Sequence, residues 1–124
     1  MTTPSIPRTV DKPWGHELIW AVTDRYVGKI LHIKAGQSLS LQYHVKKDET
    51  VMVLRGKMAF THYRDGETPQ TTELLPHRPF HVTPGLRHRM TAIEDTDVVE
   101  VSTTELDDVV RLEDRYGRAG SNAP

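Results

Sequence analysis

Apolar and polar residues alternate along most of this chain in short runs, and Gly, Pro or Asp breaks each run. The runs are LIWAV (18–22), Tyr26 to Lys34, Gly36 to His44, TVMVLRG (50–56), KMAFTHY (57–63), TTELL (71–75), FHVTP (80–84), HRMTAI (88–93) and Asp97 to Thr103. Period-2 alternation is the signature of strands, because successive side chains point to opposite faces. Many short strands, with turn signals roughly every 8 to 12 residues, predict an all-β sandwich or barrel. Between Tyr26 and Lys34, Lys29, Leu31 and Ile33 share one face, and Ile30, His32 and Lys34 share the other. Lys29 is thereby a lone cation on an otherwise apolar face.

One stretch departs from this period. In ELDDVVRLED (105–114), Leu106, Val109 and Val110 fall at i, i+3 and i+4, which predicts a short C-terminal helix. Residues 1–11, rich in Pro and Thr, read as an N-terminal arm. Residues 12–118 read as one folded domain, and 119–124 as a flexible tail.

The 124 residues suit a single domain with one core, at 36% hydrophobic and 27% charged residues. A net charge of −1 without a basic run argues against a nucleic-acid partner. No apolar run approaches the ~20 residues that cross a bilayer, and the first residues lack the apolar centre of a signal peptide. Cysteine is absent, so neither disulfides nor thiolate ligands enter. The expectation is a soluble cytoplasmic protein. Seven histidines direct attention to nitrogen-ligand chemistry.

The richest stretch is GQSLSLQYHVKKDETVMVLRG (36–56). Ser38, Ser40, Gln42 and His44 lie on one strand face, alternating with Leu39, Leu41 and Tyr43. The polar 45–48 segment turns the chain, and Glu49 opens the next strand. A fourth group, His88, follows the Pro84–Gly85 turn. Read by periodicity alone, Gln42 and His44 are polar residues on a solvated face. Together with Glu49 and His88 they offer two imidazoles, a carboxylate and an amide oxygen. Such a set suits a divalent ion of the Zn, Mn, Fe, Co or Ni type. His16, His32, His62, His77 and His81 form no comparable set. Glu100, between Val99 and Val101, reads either as an inward carboxylate able to move a proton or as a cross-strand ion-pair partner. Trp14 and Trp20 read as core or subunit-contact residues.

Gly36, His44, Glu49 and Gly56, with Pro84, Gly85 and His88, resemble the two motifs of the cupin superfamily. The run LSLQYH, the early Pro13-Trp14-Gly15 and the ending VVRLEDRYGR (109–118) resemble the cupin domain of type II mannose-6-phosphate isomerases. The resemblance covers 12–118. It implies a double-stranded β-helix, a jelly-roll barrel, with Gln42, His44, Glu49 and His88 around a divalent metal ion. It also implies a small-molecule substrate, a sugar phosphate, and a homodimer formed through the N-terminal strands. The implied reaction interconverts mannose-6-phosphate and fructose-6-phosphate. Lys29 and Glu100 are then the candidates for proton transfer. Arg111 and Arg118 are the candidates for phosphate if the tail folds over the barrel mouth, since Arg presents a fork to phosphate oxygens. Three positions depart from the family. Thr50 and Val51 stand where it has His and Trp, and Ile30 stands where it has a basic residue. These departures keep open a metal-binding cupin that holds a sugar or another small ligand without turnover, and a metal-dependent oxygenase or lyase.

Overall fold

The computed structural model describes residues 6–120. It contains eleven strands: β1 (Arg8–Lys12), β2 (Gly15–Val22), β3 (Val27–Ile33), β4 (Leu41–Tyr43), β5 (Glu49–Arg55), β6 (Met58–Tyr63), β7 (Gln70–Leu74), β8 (Phe80–Val82), β9 (Arg87–Ala92), β10 (Thr96–Ser102) and β11 (Val110–Glu113). They form a six-stranded sheet, ordered β1-β2-β3-β10-β5-β8, and a five-stranded sheet, ordered β11-β4-β9-β6-β7. All pairings are antiparallel. The all-β barrel follows the chain's alternating pattern, and its two wrapped sheets are the double-stranded β-helix that the resemblance implies. No helix among the described residues is long and apolar enough to cross a membrane.

The inner faces follow the period of two. Lys29, Leu31 and Ile33 are buried on β3, while Ile30 and His32 between them are only half-buried. β5, β9 and β10 show the same alternation. Each inner column also changes character along its length. Lys29 gives way to Leu31 and Ile33, Glu49 to Val51 and Val53, His88 to Met90 and Ala92, and Glu100 to Val98. One end of the barrel is therefore an apolar plug built around Phe60, Met58 and Val53, and the other end is a buried ionic layer. Closing the two sheets over this core removes water from both halves, so each charge in the second half needs a partner.

The N-terminal hairpin shows how closely the backbones approach. Lys12 pairs with Gly15 across Pro13 and Trp14, and Trp14 is buried against the core. Gly15 has φ +152°, and a Cβ there would sit 1.9 Å from the His32 carbonyl oxygen, so only glycine fits.

The predicted C-terminal helix is not formed. Residues 103–109 make successive turns, with Leu106 N donating to Thr104 O at 2.9 Å and Val109 N to Asp107 O at 3.0 Å. The chain then enters β11, where Val110 pairs with Tyr43 and Arg111 with Gln42. Strand pairing on the exposed edge of β4 overrides the weak helical spacing of Leu106, Val109 and Val110. Residues 8–11 of the expected N-terminal arm belong to β1, which continues to Lys12; residues 1–5 of the arm and 121–124 of the tail lie outside the described residues.

Candidate metal centre

His44 follows β4, Glu49 opens β5 and His88 lies in β9, so the three residues come from both sheets. Their side chains meet in the interior, with one ligand atom from each within 4.8 Å of the others. Glu49 Oε1 lies 3.3 Å from His44 Nε2 and 3.5 Å from His88 Nε2. All three residues are buried.

The protonation of the two imidazoles follows from their other nitrogens. His44 Nδ1 lies 2.5 Å from the Asp108 carbonyl oxygen, and His88 Nδ1 lies 3.0 Å from the Leu86 carbonyl oxygen. A carbonyl can only accept, so each Nδ1 carries the hydrogen. In the neutral rings each Nε2 is left with a bare lone pair, aimed at a carboxylate. Both Nε2 atoms are buried without a hydrogen-bond partner. Three acceptors converging on one point repel one another unless a cation or a proton lies among them, and this donor set fits a divalent metal ion. Burial pushes the Glu49 carboxyl up, but when the rings also carry a proton on Nε2 their hydrogen bonds, and then Lys47, outweigh it and hold the group well below the ordinary carboxylate range.

Gln42 sits opposite His88 across the β4–β9 pair and beside His44 on the cavity wall. Its side-chain oxygen accepts from Ser40 Oγ at 2.7 Å. The ladder thus places Gln42 next to the three-residue cluster, as the alternation in 38–44 predicts.

Two ionic groups near this cluster were not legible as such. Lys47 reads as a turn residue, yet it is buried, with Nζ 3.1 Å from Glu49 Oε2 and 3.0 Å from Glu100 Oε2. Burial pulls its pKa down, but Glu100 and Glu49 more than compensate and hold it above the usual lysine value. Glu100 is pushed up, by burial first and by Glu49 next. The second missed residue is Glu17, whose carboxylate lies 3.4 Å from Lys29 Nζ and 3.9 Å from Lys12 Nζ. Period-2 counting places Glu17 on one face with Gly15 and Ile19, but does not say which face closes inward.

Through His44 the cluster borders a cavity of about 210 Å³ whose wall also includes Lys29, Gln42, Lys47 and Arg111. Glu100 is not part of that wall. A smaller pocket of about 50 Å³ adjoins it through Lys12, Glu17, Gln42 and Arg111, which line both. Its charged lining is Lys12, Arg111 and Arg118 against the single carboxylate of Glu17, a surplus of two positive charges. Burial lowers the pKa of Lys12, opposed by Glu17 and reinforced by Lys29, Arg118 and Arg111. Burial lowers that of Arg111 as well, with Arg118 adding to the effect. The Arg118 guanidinium closes on Asp114 in a fork, Nε to Oδ2 at 2.9 Å and Nη2 to Oδ1 at 3.0 Å.

Two antiparallel sheets wrapped into a barrel, with a His–Glu–His cluster at one end, define a cupin. The family model described as "Mannose-6-phosphate isomerase C-terminal" matches residues 3–114, and the chain belongs to that family. A mannose-1-phosphate guanylyltransferase of Escherichia coli (strain K12) is 33% identical over 121 residues, covering 91% of this chain and 24% of that protein. The xanthan biosynthesis protein XanB of Xanthomonas campestris pv. campestris (strain B100) is 32% identical over 116 residues, covering 90% of this chain and 24% of that protein. The chain thus spans about a quarter of the length of these curated relatives. Among solved structures, the capsular polysaccharide assembling protein CapF from Staphylococcus aureus superposes with a TM-score of 0.72 at 18% identity, over 86% of this chain and 34% of that one. Oxalate decarboxylase of Lactobacillus farciminis gives 0.73 at 15% identity, over 86% and 33%. KdgF from Halomonas sp. gives 0.66 at 22% identity, over 78% and 87%. At these identities the superpositions establish the fold.

Proposed function

We propose that this domain is a metal-dependent aldose–ketose isomerase acting on a phosphorylated sugar of the mannose-6-phosphate kind. The observation that carries the reading is the pair of tautomer-fixed imidazoles facing Glu49 beside a cation-lined cavity. His44, Glu49 and His88, with Gln42 beside them, would hold a divalent ion, whose chemistry is to polarise the sugar's carbonyl and hydroxyl oxygens. Arg111 and Lys12 bind the phosphate; they line both pockets, and the charge surplus there suits a dianion. Arg118 supports them from its fork with Asp114. Lys29, paired with Glu17, is the better placed of the two candidates for moving the proton between C1 and C2, because it lines the cavity and Glu100 does not. The enclosing strands limit the access of bulk water. The family description and the sugar-nucleotide and polysaccharide enzymes among the relatives support a sugar-phosphate ligand.

Incubating the metal-loaded protein with mannose-6-phosphate and assaying fructose-6-phosphate tests the activity. Product formation no faster than that of a His88→Ala control rejects it.

A second reading is a metal-binding cupin that holds a sugar phosphate without converting it. It is favoured by Val51, which takes the position of a family Trp and is wholly enclosed in the apolar core. A ligand-induced rise in melting temperature with no product identifies this case. The homodimer and the cytoplasmic setting belong to the same proposal. Trp20, Leu54 and Val101 are exposed apolar residues of the six-stranded sheet that a subunit contact would cover. Sedimentation equilibrium decides between monomer and dimer.

A further inference from the structure

The turn between β4 and β5 carries His44 on one side and Lys47 on the other, yet it contains neither glycine nor proline to fix its shape. A single residue of the C-terminal segment holds three of its amides. Asp108 Oδ1 accepts from Val45 N at 3.0 Å, and Asp108 Oδ2 accepts from Lys46 N at 2.6 Å and from Lys47 N at 2.8 Å. The carbonyl oxygen of the same residue accepts from His44 Nδ1 at 2.5 Å. Two neighbouring contacts keep the segment in place: Thr103 N donates to Asp48 O at 3.0 Å, and Val110 pairs with Tyr43.

We propose that Asp108 is a positioning residue of the metal centre: its carboxylate gathers the three amides of the 45–47 turn while its carbonyl sets the His44 ring. This rests on His44 being a metal ligand. The carboxylate registers the segment on the turn, and that registration puts the carbonyl where the imidazole must donate. Without it the His44 ring is free to rotate or change tautomer, and Nε2 no longer points at Glu49. The anchor of Lys47 loosens with it. His88 provides an internal contrast, because its Nδ1 donates to Leu86 O and owes nothing to Asp108. Partners of this kind contribute about 10- to 100-fold to metal affinity.

The test uses the full chain, with Asp108→Ala and Asp108→Asn beside the parent. Asn keeps the shape and one accepting oxygen, so it remains informative if the Ala variant does not fold. Zinc affinity is measured by competition with a chromophoric chelator, and the tautomers of His44 and His88 by 15N NMR of the metal-free protein. The expected result is zinc binding weakened by about 10-fold or more, and a His44 ring no longer locked with hydrogen on Nδ1, with His88 unchanged. A variant with zinc affinity within about twofold of the parent and a fixed His44 tautomer overturns the proposal. A parent that binds no zinc overturns the metal reading instead, and the His44 tautomer still decides the role of Asp108.

Discussion

Lys47 Nζ lies 3.1 Å from Glu49 Oε2, an ion pair with both side chains buried. The same ammonium holds Glu100 at 3.0 Å, so one cation keeps two carboxylates compatible with burial. Lys47→Met removes it and leaves two uncompensated anions. The expected loss of stability is about 3–5 kcal/mol, measured by urea unfolding near neutral pH. Adding Glu100→Gln should recover a substantial part, and a double-mutant cycle measures the coupling. Unfolding curves for Lys47→Met that overlay the parent's would show that the bridge contributes nothing.

Arg111 and Arg118 should separate on mutation. Arg111→Ala is expected to weaken binding of mannose-6-phosphate or inorganic phosphate by about tenfold or more, since it removes one charged hydrogen-bonding partner. Zinc affinity should not change. Arg118→Ala breaks the fork to Asp114 and should lower the melting temperature as well as ligand affinity. Titration calorimetry with differential scanning calorimetry distinguishes the two; equal phosphate affinity in parent and Arg111→Ala would remove Arg111 from the site.

On the outer face of the six-stranded sheet, Asp97 joins His32 Nδ1 at 2.6 Å and the Arg55 guanidinium. Burial pushes its carboxyl up, but the hydrogen bonds from His32 and Arg55 outweigh burial and hold it below its ordinary 3.8. A depressed carboxylate contributes stability that is present above the unfolded-state pKa and lost as pH falls through the folded-state value. The parent should therefore lose stability on acidification below about pH 4, and Asp97→Asn should show a shallower acid limb. Identical acid limbs in melting temperature against pH would dismiss the role of Asp97.

Gly15→Ala should be among the most damaging single-methyl additions, because the added carbon would meet the His32 backbone and not a side chain that can yield. The cost is expected to be about 3 kcal/mol, read by chemical unfolding. A loss below about 1 kcal/mol would mean that the β2–β3 pair opens to admit the methyl group.

The chain's alternation disclosed the barrel because a sheet with one buried face writes its register into the sequence. Lys29, Leu31 and Ile33 turn inward together, and Ser38, Ser40 and His44 are buried as a set. The convergence of His44, Glu49 and His88 was legible through spacing and resemblance combined. Lys47 was not, because a lysine in a polar turn has no period to follow; its inward course depends on Asp108, sixty-one residues away, capturing the turn. The 105–114 segment misled for a related reason. Two adjacent aspartates before Val109 suit a helix start as well as an amide-capturing turn, and only the open edge of β4 decides between them.

The lengthwise division of the inner columns into an apolar plug and an ionic layer carries a consequence for how such a domain changes. Substitutions at Lys29 alter the cavity wall without entering the packing around Phe60, whereas His88, its ring centroid 6.0 Å from that of Phe60, belongs to both halves. Replacements at Leu31, Met90 or Val98 adjust folding without reaching a ligand. Libraries at cavity-wall positions such as Lys29, sparing the Lys47–Glu49–Glu100 bridge, therefore search new reactivities while the opposite cap keeps the chain folded.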